Sequence, residues 1–215
     1  MLTAFAARAV DISAALAWCG TALGLARTTP QLLVVRREQA LDGLSVWSCT
    51  CLMLSMVWWD IYSIAGANVP LAVSSVGSTI APVLTLLILS RRGLVQRRHA
   101  LAVLGGSVLG LLCLLVSVEF VGLVASGSTV LYAGPQLWRL VRTRDVRGVS
   151  AVTWGITAVN TSIWAAYGIR EQLLPTVLPA LILLPTACLV MTLKLLSKRR
   201  GSAESSSQNT VTTDA

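Results

Sequence analysis

The chain runs apolar for about 20 residues at a time, seven times over, with charge or turn residues between the runs. Crossing a hydrocarbon core of about 30 Å as a helix takes about 20 apolar residues. The runs fall at roughly 11–35, 44–65, 68–90, 100–118, 120–141, 149–168 and 173–196. Only Val118-Glu119 separates the fourth from the fifth. Charged residues make up 12% of the chain, against about a quarter in a soluble domain, and the mean hydropathy is +0.75. No soluble core of this size hides so much apolar surface. The expected fold class is therefore an all-α integral membrane protein with seven transmembrane helices, and the lipid bilayer is its first partner.

The net charge of +8 reports topology rather than nucleic acid. Of 17 Lys and Arg, all but Arg8, Arg27 and Arg170 cluster at alternate helix ends, as in Arg91-Arg92, Arg97-Arg98 and Lys198-Arg199-Arg200. Cationic loops stay cytoplasmic. The expectation is an amino terminus outside, a carboxyl terminus in the cytoplasm, and residence in the cell membrane. Beyond Leu196 the Ser/Thr-rich stretch has nothing to bury and is expected to be disordered.

Arg8 before the first apolar run gives it some look of a cleaved signal peptide, but that segment takes part in the repeat described next. Cys19, Cys49, Cys51, Cys113 and Cys188 all lie within expected spans, which argues against a disulfide framework. Cys49 and Cys51 are two apart with no His nearby, so no metal site is expected. One His and the absence of HExxH, G-x-S-x-G and Gly-rich phosphate motifs argue against an enzyme. Neither catalytic residues nor a cofactor are expected.

Laid on itself with a shift of 105 residues, the sequence matches at nine of the 35 positions between Pro30 and Ile64. About three would be expected by chance, and a fixed period of self-similarity marks repeated architecture. The matches include Pro30-Gln31 with Pro135-Gln136, Gly43 with Gly148, Trp59 with Trp164 and Tyr62 with Tyr167. Three spans per repeat would invert the second copy, and the fourth span restores its orientation. The reading is two parallel three-helix bundles joined by a connector helix, 3+1+3. The first repeat takes residues 1–90, the basic loop and connector 91–118, the second repeat 119–197 and the tail 198–215. Parallel repeats place a substrate site between the halves near the midplane.

The sequence "PQLWRLVRTRDVRGVS" followed by "WAAYG", with "PQLLVVRREQALDGLS" followed by "WDIYS" in the first half, resembles the PQ-loop repeat superfamily. Within it the chain is most similar to the SWEET sugar facilitators and their half-sized SemiSWEET relatives. The resemblance covers residues 12–196 and implies a passive, alternating-access carrier of a mono- or disaccharide. It also implies a substrate-binding Asn 13 residues beyond each tyrosine, where this chain has Ser75 and Ala180. Ser63 stands where the pattern has Gly, and the second and sixth spans lack the prolines of plant-type members.

Trp59 and Trp164, each with Tyr at i+3 (Tyr62, Tyr167), are candidates for a slot in which an apolar sugar face stacks; the alternative is anchoring in the interfacial belt. Ser55 and Asn160 are repeat equivalents one turn inward. They either line a pocket or bond between helices. Asp60 is an intramembrane charge of the kind that marks proton pathways, but its equivalent is Ala165. For Arg27 the plain reading is snorkelling to the headgroups. Pro30, Gln31, Pro135 and Gln136 are expected to form hinges of a cytoplasmic gate, with helix termini as the simpler reading. Three functions stay open beside the sugar facilitator: a carrier of another solute such as an amino acid, one proton-coupled through Asp60, or a trafficking or receptor component. A small sugar-like molecule is the expected partner, and a second copy of the chain is a further candidate.

Overall fold

A computed structural model describes residues 12–27, 45–143 and 151–211. Each helix starts and stops where local chemistry provides for it. Helix α1 covers Ile12–Arg27. Ser45 caps α2 (Val46–Ala65), its hydroxyl accepting from the Ser48 amide, and Gly66 closes that helix. Asn68 caps α3 (Val69–Arg91) by accepting from the Leu71 amide at 3.2 Å, and Pro70 sits in the first turn where no donor is required. Gln96 and His99 cap each other across the start of α4 (Arg97–Cys113). Helix α5 is Val118–Thr143 and α6 is Ala151–Arg170. The seventh pass is split into α7 (Leu174–Val177) and α8 (Ala180–Val211).

The result is the expected all-α fold of seven helical passes, two three-helix bundles with α4 between them. Three passes, Val46–Ala65, Val69–Arg91 and Leu174–Leu196, are by themselves long and apolar enough to cross a membrane. Burial confirms which solvent the fold is built for. Beside Leu89, Val121 and Val190 the fully buried side chains include four hydroxyl residues, Thr50, Ser55, Ser63 and Thr186, while Ile80, Leu84 and Leu87 form an exposed stripe along α3. A fold in water buries its large aliphatics. Here small hydroxyl residues let the helices approach closely, and their protons go to carbonyls of the preceding turn, as from Thr50 to Val46 and from Thr186 to Ile182. The chain is an integral membrane protein.

The repeat is written in the backbone as well as in the residues. The α2–α3 turn puts Ala67 at φ 50°, and the α6–α7 turn puts Gln172, 105 residues later, at φ 57°. Each turn closes with the same two bonds. The Gly66 amide reaches the Tyr62 carbonyl and the Asn68 amide that of Ser63; Glu171 reaches Tyr167 and Leu173 reaches Gly168. Both are Schellman closures with a non-glycine residue in the left-handed position.

Three boundaries differ from the hydropathy reading. The break between the fourth and fifth passes falls at Leu114–Ser117 rather than at Val118-Glu119, and the Ser117 hydroxyl caps α5 by accepting from the Phe120 amide. The seventh pass breaks at Leu178-Pro179 because Pro179 has no amide to give. Helix α8 continues to Val211, where no order is expected; extending an existing helix needs no new nucleus.

The apolar core crosses from one repeat to the other. Trp58, Tyr62 and Leu71 of α2 and α3 are packed with Val121 and Ala125 of α5. Helix α4 packs against α2 and α5.

Candidate functional site

Helices α2 and α6 carry the two tryptophan–tyrosine pairs to matching positions. Trp59 meets Tyr62 edge-on with ring centroids 5.8 Å apart and planes at 75°; Trp164 meets Tyr167 at 5.6 Å and 83°. Both tyrosines are buried, so each fixes its tryptophan from behind. Gly20 lets α1 lie directly on the Trp164 ring, since a Cβ there would stand 2.9 Å from Trp164 Cε2.

Between the repeats lies a cavity of about 130 Å³. Of the fifteen described residues that line it, twelve fall into six pairs separated by 105 positions: Gly24 with Thr129, Met56 with Thr161, Trp59 with Trp164, Leu71 with Thr176, Ser74 with Pro179, and Ser78 with Leu183. A cavity walled by equivalent positions of two repeats lies on the axis that relates them. Its chemistry is not symmetric. Only the tryptophans are identical, and within each remaining pair the two members differ in kind. Ser74, Ser75 and Ser78 come from α3, while Thr129, Asn160, Thr161 and Thr176 come from the second repeat.

Four of the residues anticipated at the site line this cavity: Trp59, Trp164, Asn160 and Ser75. Asn160 is buried and its Oδ1 has no hydrogen-bond partner. Such an atom in a cavity wall is an acceptor waiting for a donor. Tyr62 and Tyr167 stand behind the tryptophans, and Tyr167 Oη accepts from Asn68 Nδ2 at 2.8 Å, a bond between repeats. Ser55 is fully buried outside the lining, its hydroxyl 2.6 Å from that of Ser128 on α5. Of the two readings held for Ser55, helix-to-helix bonding is the one the geometry favours. Asp60 is also outside the lining; its Oδ2 accepts from Thr79 at 2.8 Å, and its buried Oδ1 is unpaired.

No family model matches the chain, and no curated protein matches it in sequence. A solved structure does. A eukaryotic SWEET transporter determined at 3.7 Å superposes with a TM-score of 0.70, covering 88% of this chain and 98% of its own at 14% identity. The fold is that of a SWEET transporter.

On the SWEET fold the departures in the first repeat compensate each other. Ser63, standing where the pattern has Gly, has its hydroxyl 3.0 Å from that of Ser75, standing where it has Asn. In the second repeat Gly168 is kept because a Cβ there would overlap Thr176 Oγ1, and its partner position is Ala180. Pro30 and Gln31 lie outside the described residues. Helix α5 runs through Pro135 and Gln136 without interruption as far as Thr143. The site residues missed by sequence reasoning, among them Thr129, Thr176, Ser74 and Ser78, follow the same 105-residue offset beyond the stretch where identities reveal it.

Proposed function

We propose that the chain is a facilitator that carries a small, hydroxyl-bearing solute of a single ring, a monosaccharide or a molecule of that size, by alternating access between its two repeats. The observation that carries this reading is the cavity walled by six repeat-related pairs, with two tryptophans facing it. A cavity of about 150 Å³ is known to hold one six-membered ring. At about 130 Å³ this one is of the same order, which supports a solute of about one ring. Aromatic faces take the apolar side of a ring. The Ser and Thr hydroxyls and Asn160 Oδ1 offer partners to its rim.

The same reading puts the amino terminus outside and the α2–α3 and α6–α7 turns at the outer surface of the cell membrane. There Asn68 to Tyr167 and Arg170 Nε to Ser13 Oγ, both 2.8 Å, tie one repeat to the other. Two such bonds across the repeat boundary describe a closed outer gate. Uptake of a radiolabelled solute panel into proteoliposomes tests the proposal. Saturable uptake of a monosaccharide-sized solute is expected, and no uptake of any hydroxylated single-ring solute overturns it.

The unpaired Oδ1 of Asp60 supports a second reading, coupling to protons. Its absence from the cavity wall makes this the lesser of the two.

A further inference from the structure

Among the described residues the cavity wall contains one ionisable side chain, Arg27, and no carboxylate. Among the described residues its guanidinium has no hydrogen-bond or ion-pair partner. An unpaired cation between transmembrane helices is costly, and where one occurs it faces a wet cavity or marks a solute's path. Snorkelling accounts for an arginine whose head reaches the headgroups, but it does not require that residue to wall a cavity shared with Trp59, Trp164 and Asn160. The position equivalent to Arg27 is Tyr132, so the charge belongs to one side of the site and is not part of the repeated scaffold.

Two unmet demands therefore face the same space. Asn160 Oδ1 lacks a donor, and Arg27 has no anionic partner among the described residues. A neutral sugar answers the first and leaves the second unmet. We propose that the solute is a hydroxylated carboxylate of one ring's size, a sugar acid rather than a neutral sugar, with Arg27 receiving the carboxylate and Asn160 accepting from a ring hydroxyl. The carboxylate is favoured over a phosphate because one guanidinium balances a single charge, whereas a phosphate ester carries nearly two. This inference rests on the facilitator reading and adds the sign of the solute's charge.

An uncoupled carrier of a singly charged anion moves one negative charge per solute. Its equilibrium distribution then shifts about 50-fold for each 100 mV imposed across the membrane. The experiment uses the full chain in proteoliposomes with labelled hexuronate and the corresponding neutral hexose. Hexuronate counterflow is expected to exceed hexose counterflow at least tenfold. Potassium–valinomycin potentials, positive inside, are expected to accumulate the hexuronate and leave the hexose distribution unchanged. Arg27→Gln is expected to collapse the hexuronate-to-hexose ratio, and Arg27→Lys to retain it. Preferred transport of hexose, or a ratio unaltered in Arg27→Gln, overturns the inference and leaves the facilitator standing. If neither solute is carried by the wild-type protein, the inference falls, and the solute panel decides whether the facilitator falls with it. Should Arg27→Gln fail to fold, the wild-type potential experiment decides alone: a hexuronate distribution indifferent to potential overturns the proposal.

Discussion

The hydroxyl of Ser126 donates to the carbonyl of Pro175 at 2.6 Å, and that carbonyl has no partner in its own helix because the residue four positions on is Pro179. In lipid an orphaned carbonyl has no water to turn to. The first repeat has the same bond, from Thr21 to Pro70 at 2.7 Å, but there Ser74 stands four residues on with an ordinary amide. Ser126→Ala is therefore expected to cost about 1–3 kcal/mol. Thr21→Val should cost less, about 0.6 kcal/mol as for an average interhelical bond in a membrane. Thermal unfolding in detergent checks the order; equal losses would show that Pro175 finds another donor.

Ala67 and Gln172 hold the left-handed turns that glycine adopts without strain. The conformation costs an L-residue about 1–2 kcal/mol, offset in part by the greater freedom of glycine in the unfolded chain. Ala67→Gly and Gln172→Gly are each expected to stabilise the protein by about 0.5–1 kcal/mol. A lower melting temperature in either variant would mean that the side chain packs favourably in its turn.

Much of this architecture is legible in the sequence, because apolar runs, flanking arginines and a constant offset are one-dimensional signals. The tryptophan–tyrosine pairs are legible for the same reason. Which face a residue turns is not. Ser55 and Asn160 are equivalent by offset, yet one bonds to Ser128 and the other faces the cavity, because different neighbours meet them. Arg27 reads as a headgroup anchor until the side of α1 it occupies is known. The break at Pro179 is not read from the sequence, since a proline in an apolar run does not tell whether its freed carbonyl finds a donor.

Exchange is expected to proceed without an ion gradient, since no acidic residue of the expected spans is shared by the two repeats. A protonophore should leave counterflow unchanged, and Asp60→Asn should retain it. Loss of exchange in both cases would transfer the mechanism to Asp60 and a proton-coupled carrier.

Pro30 and Pro135 remain our proposed hinges of the cytoplasmic gate. Each removes the amide that would serve the carbonyl four residues earlier, and such a break is tolerable where protein or water lies alongside. Replacing both by Ala is expected to preserve or raise thermal stability and slow the change between inward- and outward-open states. Spin labels near Arg36 and Val141 should report two distances in the native protein, redistributed by solute. A single unchanging distance contradicts the hinge.

The central claim is that the paired cavity is where solute binds, and the tryptophans are its identical pair. Trp59→Ala and Trp164→Ala each remove a stacking face without taking a backbone bond from α2 or α6. The deciding measurement is solute counterflow by each variant, reconstituted beside the wild-type protein after monodisperse behaviour in detergent is established. The account predicts that each substitution abolishes counterflow in a folded protein. Counterflow at the wild-type rate in both variants would contradict it and return the two tryptophans to the membrane belt.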